Sequence, residues 1–132
     1  MTSKAKHSEV DAYVYVKEKL KQLGWDTRNP VKVPGGQIYT QNQCLGEPEI
    51  KRWLDKKRPE YIVKVTETML WVIECKRVRT EIGQALDEAE NYYAARLNKS
   101  DILKALFVSG LAMTHSTQRV RLIKSTILRS KH

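Results

Sequence analysis

The sequence predicts an α/β domain with a mixed sheet between helices, and three observations carry that prediction. Apolar residues recur at helical spacing over residues 8–23 and again over 80–97. Between them, residues 60–76 read as two apolar strands around a short polar turn. A short apolar run at 104–110 and a stretch at 118–128 that alternates charge with apolar side chains then supply further strands. Helix, strands, hairpin, helix, strand and a last strand is an order that places helices over a sheet.

Each element has its own reason. Ser8 followed by Asp11 fits a capping pattern, and a helix from there carries Tyr13, Val16, Leu20 and Leu23 as its apolar stripe before Gly24 stops it. Glu9 lies four residues before Tyr13 and so shares that stripe's face, an odd place for a carboxylate. "VKVPGGQIYT" (31–40) reads as two short extended pieces around a Pro-Gly-Gly turn. "EPEIKRWLDKK" (47–57) reads as a short helix with Ile50, Trp53 and Leu54 on one side. The second strong helix, 80–97, has Ile82, Leu86, Ala89, Tyr93 and Leu97 as its stripe. "KALFVSG" (104–110) is a buried strand ending in glycine, and "QRVRLIKSTIL" (118–128) is an edge strand with a basic face.

Composition narrows the function classes. The chain has 132 residues, enough for one domain, with residues 1–7 as a loose lead-in, 8–110 as the core and 111–132 as a basic C-terminal segment. At 41 % apolar and 30 % charged it is a folding composition and not a disordered one. The longest unbroken apolar runs, "AYVYV" (12–16) and "MLWVI" (69–73), are too short for a membrane span. No apolar segment follows the charged N-terminus, so no secretory signal and a cytoplasmic location are expected. Cys44 and Cys75 are too few and too far apart for a zinc module or a disulfide framework, and His7, His115 and His132 are scattered. The net charge of +9 says more, because a small domain this basic is drawn to polyanions, nucleic acid foremost.

The hairpin raises the sharpest question, since its apolar strands gather Glu60, Glu74 and Lys76 at their outer ends. Side chains on a strand alternate, so Glu74 and Lys76 share a face and Cys75 opposes them. A three-residue loop at Thr66–Thr68 puts Glu60 directly opposite Glu74, whereas a two-residue loop at Glu67–Thr68 sends Glu60 to the other face. Turn chemistry does not choose between them, as neither version has the favoured glycine. In the first register one face is wholly apolar, with Tyr61, Val63, Val65, Met69, Trp71, Ile73 and Cys75. The other holds Glu60, Ile62, Lys64, Leu70, Val72, Glu74 and Lys76. Two carboxylates opposite one another repel and call for a cation. Lys76 supplies part of that charge in an ordinary salt bridge, and a hard divalent ion would supply more.

Pro59-Glu60 at the start of one strand, answered across the hairpin by Glu74-Cys75-Lys76, resembles the signature of the PD-(D/E)XK nuclease superfamily. "SEVDAYVYVKEKLKQLGWD" and the helix after "IECKR" are similar to the restriction-endonuclease-like N-terminal domains of type I-like restriction-modification proteins. The resemblance covers roughly residues 8 to 110 and implies a restriction-endonuclease-like core in the order α-β-β-β-α-β. It also implies a Mg²⁺-dependent endonuclease acting on DNA, with Mn²⁺ as substitute metal. Glu60, Glu74 and the Cys75 main-chain carbonyl would hold the ion, Lys76 would serve the attacking water, and Glu9 would be a supporting acid. Glu9 otherwise simply serves the helix dipole. Gln84 would contact the scissile phosphate or a water, unless it is a solvated helix residue. Arg77, Arg79, Arg119, Arg121 and Lys124 would contact phosphates, and Arg58 fits either a structural or a phosphate role. One such site cuts one strand, so a double-strand break requires a homodimer or a larger restriction-modification assembly, and the chain reads as a domain of a longer protein or as a subunit that borrows its specificity from a partner. The sequence departs from the family pattern in two places: Glu60 stands where an Asp is usual, and Glu88 where some relatives carry a tyrosine. These departures leave a second expectation open, a nuclease-like domain that binds nucleic acid without cutting it.

Overall fold

The computed structural model describes the backbone of residues 9–76, 79–113 and 120–127, and the side chains of 14–76 and 80–112. Helix α1 (Glu9–Gln22) is followed by strand β1 (Ile38–Thr40), helix α2 (Pro48–Leu54), and the hairpin strands β2 (Tyr61–Lys64) and β3 (Met69–Lys76). A continuous helix over 82–97, α3, then leads to β4 (Lys104–Met113) and β5 (Val120–Ile127). The strands form one sheet in the order β1-β2-β3-β4-β5, with β3 and β4 parallel and every other pair antiparallel. The class is therefore mixed α/β, as the hydrophobic pattern predicts, and β5 is the edge strand expected at 118–128.

The hairpin pairs Tyr61 with Ile73, Ile62 with Val72, Val63 with Trp71 and Lys64 with Leu70. Val65 donates to the Met69 carbonyl at 2.9 Å, which closes a three-residue loop at 66–68. The Thr66 hydroxyl stands in for the missing glycine by accepting from the Thr68 and Met69 amides. Both faces of the hairpin are buried. Tyr61, Val63, Ile73 and Cys75 pack with Val16 and Leu20 of α1, whereas Ile62, Leu70 and Val72 pack with Ile50 and Leu54 of α2 and Ala89, Tyr93 and Leu97 of α3. A sheet covered on both sides tolerates charge only at its ends, which is where the hairpin's acids lie.

Helix α1 ends as the glycine signal predicts. Gly24 sits at φ 101°, its amide reaches the Lys21 carbonyl, and the Trp25 amide reaches the Leu20 carbonyl. That is the paired-bond left-handed stop that glycine permits at least cost, with Trp25 packing in the cluster that holds Leu20. Leu23, expected in the stripe, is instead 64 % exposed, because it already belongs to this terminal turn. Residues 31–33 are not extended as expected. Asn29 accepts from the Val31 amide through its side chain and from Lys32 and Val33 through its carbonyl, and this curls the segment into a turn.

Strand β4 does not end at Gly110, so a core boundary at residue 110 falls inside a strand. A Cβ at Gly110 would lie 2.8 Å from the Leu86 amide nitrogen, so this glycine lets α3 lie against β4. Helix α3 widens to a π-helix over Glu88–Ala94. The wider turn lets Ala89, Tyr93 and Ala94 all reach the core, while Ala85 replaces Leu86 as the fully buried residue of the first turns. The expected order α-β-β-β-α-β is present with α2 inserted after β1 and β5 added at the end.

Candidate functional site

Extending the hairpin pairing by one residue beyond Tyr61 and Ile73 brings Glu60 opposite Glu74. Here the main-chain ladder gives way to a side-chain bond: the Glu60 amide donates to Glu74 Oε1 at 3.0 Å. Pro59, which has no amide to place, is fully buried beside it, and the Tyr93 hydroxyl of α3 donates to the Arg58 carbonyl at 3.1 Å. Helix α3 thus fixes the entry of β2, and through it the position of Glu60.

Glu74 is the buried acid of the group, only 7 % exposed. Burial pushes its carboxyl up to about 8, helped by a hydrogen bond to Glu88 and by the charges of Glu60 and Glu88, against the opposing pull of the Glu60 amide. Glu88 moves the other way. Its partial burial works to raise it, but hydrogen bonds from Glu74 and Lys76, the Lys76 charge and a bond from Gln84 together hold it below the usual carboxylate range. Of the two hydrogen-bonded carboxyls, Glu74 is the one biased toward its protonated form and Glu88 the one biased toward its ionised form. The same crowd of acids, after burial itself, raises the Tyr93 phenol.

Lys76 Nζ lies 3.1 Å from Glu88 Oε1, and Gln84 Nε2 lies 3.3 Å from Glu88 Oε2. Glu74, Lys76 and Gln84, which the sequence nominates separately, thus meet around a residue it did not nominate, Glu88, while Glu60 joins the group through Glu74. The signal was available, because Glu88 is one helical turn after Gln84 and so shares its face. Cys75 points its thiol into the apolar layer under α1, so only its main chain can serve this end of the sheet. Arg77 and Arg119 lie outside the described residues. For Glu9 in α1, Arg79 before α3, and Arg121 and Lys124 in β5, only the backbone is described.

Two carboxylates and a main-chain carbonyl at one sheet end are hard oxygen donors of the type that could hold Mg²⁺, an ion usually bound by one or two carboxylates with water and substrate completing its shell; the Lys76 ammonium beside them is a cation and no ligand. The crowded, protonated Glu74 fits the same reading, as a cation would replace its proton. Among the described residues no three His, Cys, Asp or Glu side chains form a ready cage for a metal. Among them, too, no helix is long and apolar enough to cross a membrane. Against protein-family models, curated proteins and solved structures, the chain has no match.

Proposed function

We propose that this chain is a Mg²⁺-dependent endonuclease domain that hydrolyses DNA phosphodiester bonds within a restriction-modification system. The observation that supports the reading most is the register of the hairpin, in which Glu60, Glu74 and Lys76 occupy one end of a sheet buried on both faces. The topology, with the acids on adjacent antiparallel strands and a helix crossing to a parallel strand, agrees with a restriction-endonuclease-like core. The net charge of +9 suits a phosphate-rich substrate.

In this reading Glu60, Glu74 and the Cys75 carbonyl hold the ion. When bound, the metal supplies charge at the phosphate oxygens and lowers the pKa of water. Glu74 gives up its proton on binding, because an ionised carboxylate is the ligand. Lys76 leaves Glu88 to orient the attacking water, and Glu88 keeps the ammonium poised when substrate is absent. Gln84, held to Glu88, faces the same end and donates to a phosphate oxygen or its water. Two copies of the domain, or a larger assembly, are needed to cut both strands.

A second reading, nucleic-acid binding without cleavage, draws on one observation: the Lys76 ammonium is already engaged by Glu88 at 3.1 Å. Supercoiled plasmid incubated with Mn²⁺ separates the two readings. Nicking by the native protein that disappears in Glu74→Gln supports the nuclease. Salt-sensitive binding with no nicking at any protein concentration supports the binder.

A further inference from the structure

A cleft of about 710 Å³ lies between α1, the turn at 27–33 and the loop at 42–46. Lys17, Arg28 and Lys32 line it together with the amides of Asn29, Asn42 and Gln43, and no carboxylate is among its lining residues. The three amides share one feature. Asn29 Oδ1 accepts from the Val31 amide at 3.0 Å, Gln43 Oε1 accepts from the Thr40 amide at 3.1 Å, and Asn42 Oδ1 accepts from Arg58 Nη1 at 3.5 Å. Each oxygen is consumed within the fold, so each amide has its NH₂ donors left for the cleft. Arg28 is paired with Asp26 through Nε and Nη2, whereas Lys17 and Lys32 have no ion-pair partner among the described residues. The lining is therefore rich in donors and cations and poor in acceptors, which suits a ligand made of anionic oxygens.

The cleft lies on the side of β1 whose outgoing chain runs toward the carboxylate end. Thr40 pairs with Tyr61, so the chain leaving β1 emerges beside Glu60 at the same end of the sheet. Asn42 and Gln41 both bond to Arg58, two residues before Glu60. Gln41 and Asn42 thus tie the loop that lines the cleft to Arg58, next to the carboxylate end, so a strand leaving that end round the β1 edge reaches the donors of the cleft. It runs off the β1 edge, whereas the basic face predicted for residues 118–128 lies at the opposite edge, β5.

We propose that the cleft binds the phosphodiester backbone of the nucleic-acid strand beside the scissile phosphate. The inference deepens the nuclease reading and rests on it for the identity of the polyanion. The amides would fix the register of the backbone while Lys17 and Lys32 supply most of the attraction.

The test is the affinity of the full chain for a short fluorescein-labelled DNA duplex, read by anisotropy without divalent metal across a range of salt. The double variant Lys17→Ala/Lys32→Ala is compared with Lys51→Ala/Lys99→Ala, which removes the same charge from exposed positions on the other side of the sheet. The cleft pair should weaken binding roughly tenfold and lower the slope of log affinity against log salt by about 1 to 2, since each phosphate contact contributes about one. The control pair should change both far less. Equal losses in the two variants would reduce the effect to net charge and overturn the proposal, as would unchanged binding in the cleft pair. The rise in melting temperature with Mn²⁺, measured on the same proteins, reads the carboxylate end separately. A cleft pair that keeps that rise and binds DNA like the native chain sinks the cleft and leaves the nuclease reading intact. Absence of the Mn²⁺ rise and of nicking in the native chain sinks the nuclease reading, while the anisotropy series still decides the cleft.

Discussion

Glu74 Oε1 accepts the main-chain amide of Glu60 at 3.0 Å, so the two acids of the hairpin are joined through backbone to side chain at the very point where the strand ladder stops. The bond stabilises the ionised form of Glu74, yet burial and the neighbouring acids outweigh it. The proton that results makes the site open to test.

The first prediction concerns stability and pH. The folded pKa of Glu74, about 8, exceeds its unfolded value, so the folded state holds a proton that the unfolded chain has released. In the window between the ordinary glutamate value and about 8, stability contributed through Glu74 falls as pH rises. Glu74→Gln removes that loss, so it should stabilise the metal-free protein by an increasing margin, on the order of 2 kcal/mol near pH 8. Urea unfolding of both proteins from pH 5 to pH 9 checks this, and a margin that shrinks with rising pH would contradict it.

The second concerns the Glu74–Glu88 pair. Replacing Glu88 with Gln removes a charge that raises Glu74 and exchanges a carboxylate acceptor for a weaker amide one, but leaves burial, the larger cause, in place. The Glu74 titration, followed by carboxyl carbon NMR, should move down from about 8 while staying above the ordinary glutamate range. Because the Lys76–Glu88 pair is partly exposed, the same variant should alter stability by no more than about 1 kcal/mol.

Metal binding supplies the third. A divalent ion must displace the Glu74 proton, so Mn²⁺ should raise the melting temperature more at pH 8 than at pH 6. Glu74→Gln should abolish the rise at both. An equal rise at the two pH values, or one that survives in the variant, would place the metal elsewhere.

The fourth is structural. Gly110→Ala would bring its Cβ to 2.8 Å of the Leu86 main-chain nitrogen, which cannot rotate away as a side-chain tip would. The cost should be about 1–3 kcal/mol in denaturant unfolding. An unchanged midpoint would mean that α3 shifts freely over β4.

Much of this arrangement was legible in the residues. Alternation fixes which residues share a face within each strand, and with a three-residue loop it puts Tyr61, Val63, Ile73 and Cys75 on one face and Ile62, Leu70 and Val72 on the other, as the packing has them. The turn was ambiguous because Thr66 performs with its hydroxyl what a glycine would do with its backbone, and composition does not announce that substitution. In sequence Gly110 reads as a strand end, because a close helix approach and a turn use the same residue. Glu88 stands out in sequence only as a departure from a family pattern. Its role depends on α3 crossing the β3 end, and tertiary packing decides that. The π turn beginning at Glu88 has no signature in apolar spacing.

If Lys76 acts on bound substrate while Glu60 and Glu74 hold metal, the lysine can be removed without loss of metal binding. Plasmid nicking and the Mn²⁺-dependent rise in melting temperature are measured together on the native chain and on Lys76→Ala. The variant should keep the metal response and lose nicking by about 10²-fold or more, the usual contribution of a positioned proton-transfer group. A native chain that binds Mn²⁺ but never nicks, or a Lys76→Ala variant that nicks as fast as the native chain, would contradict it.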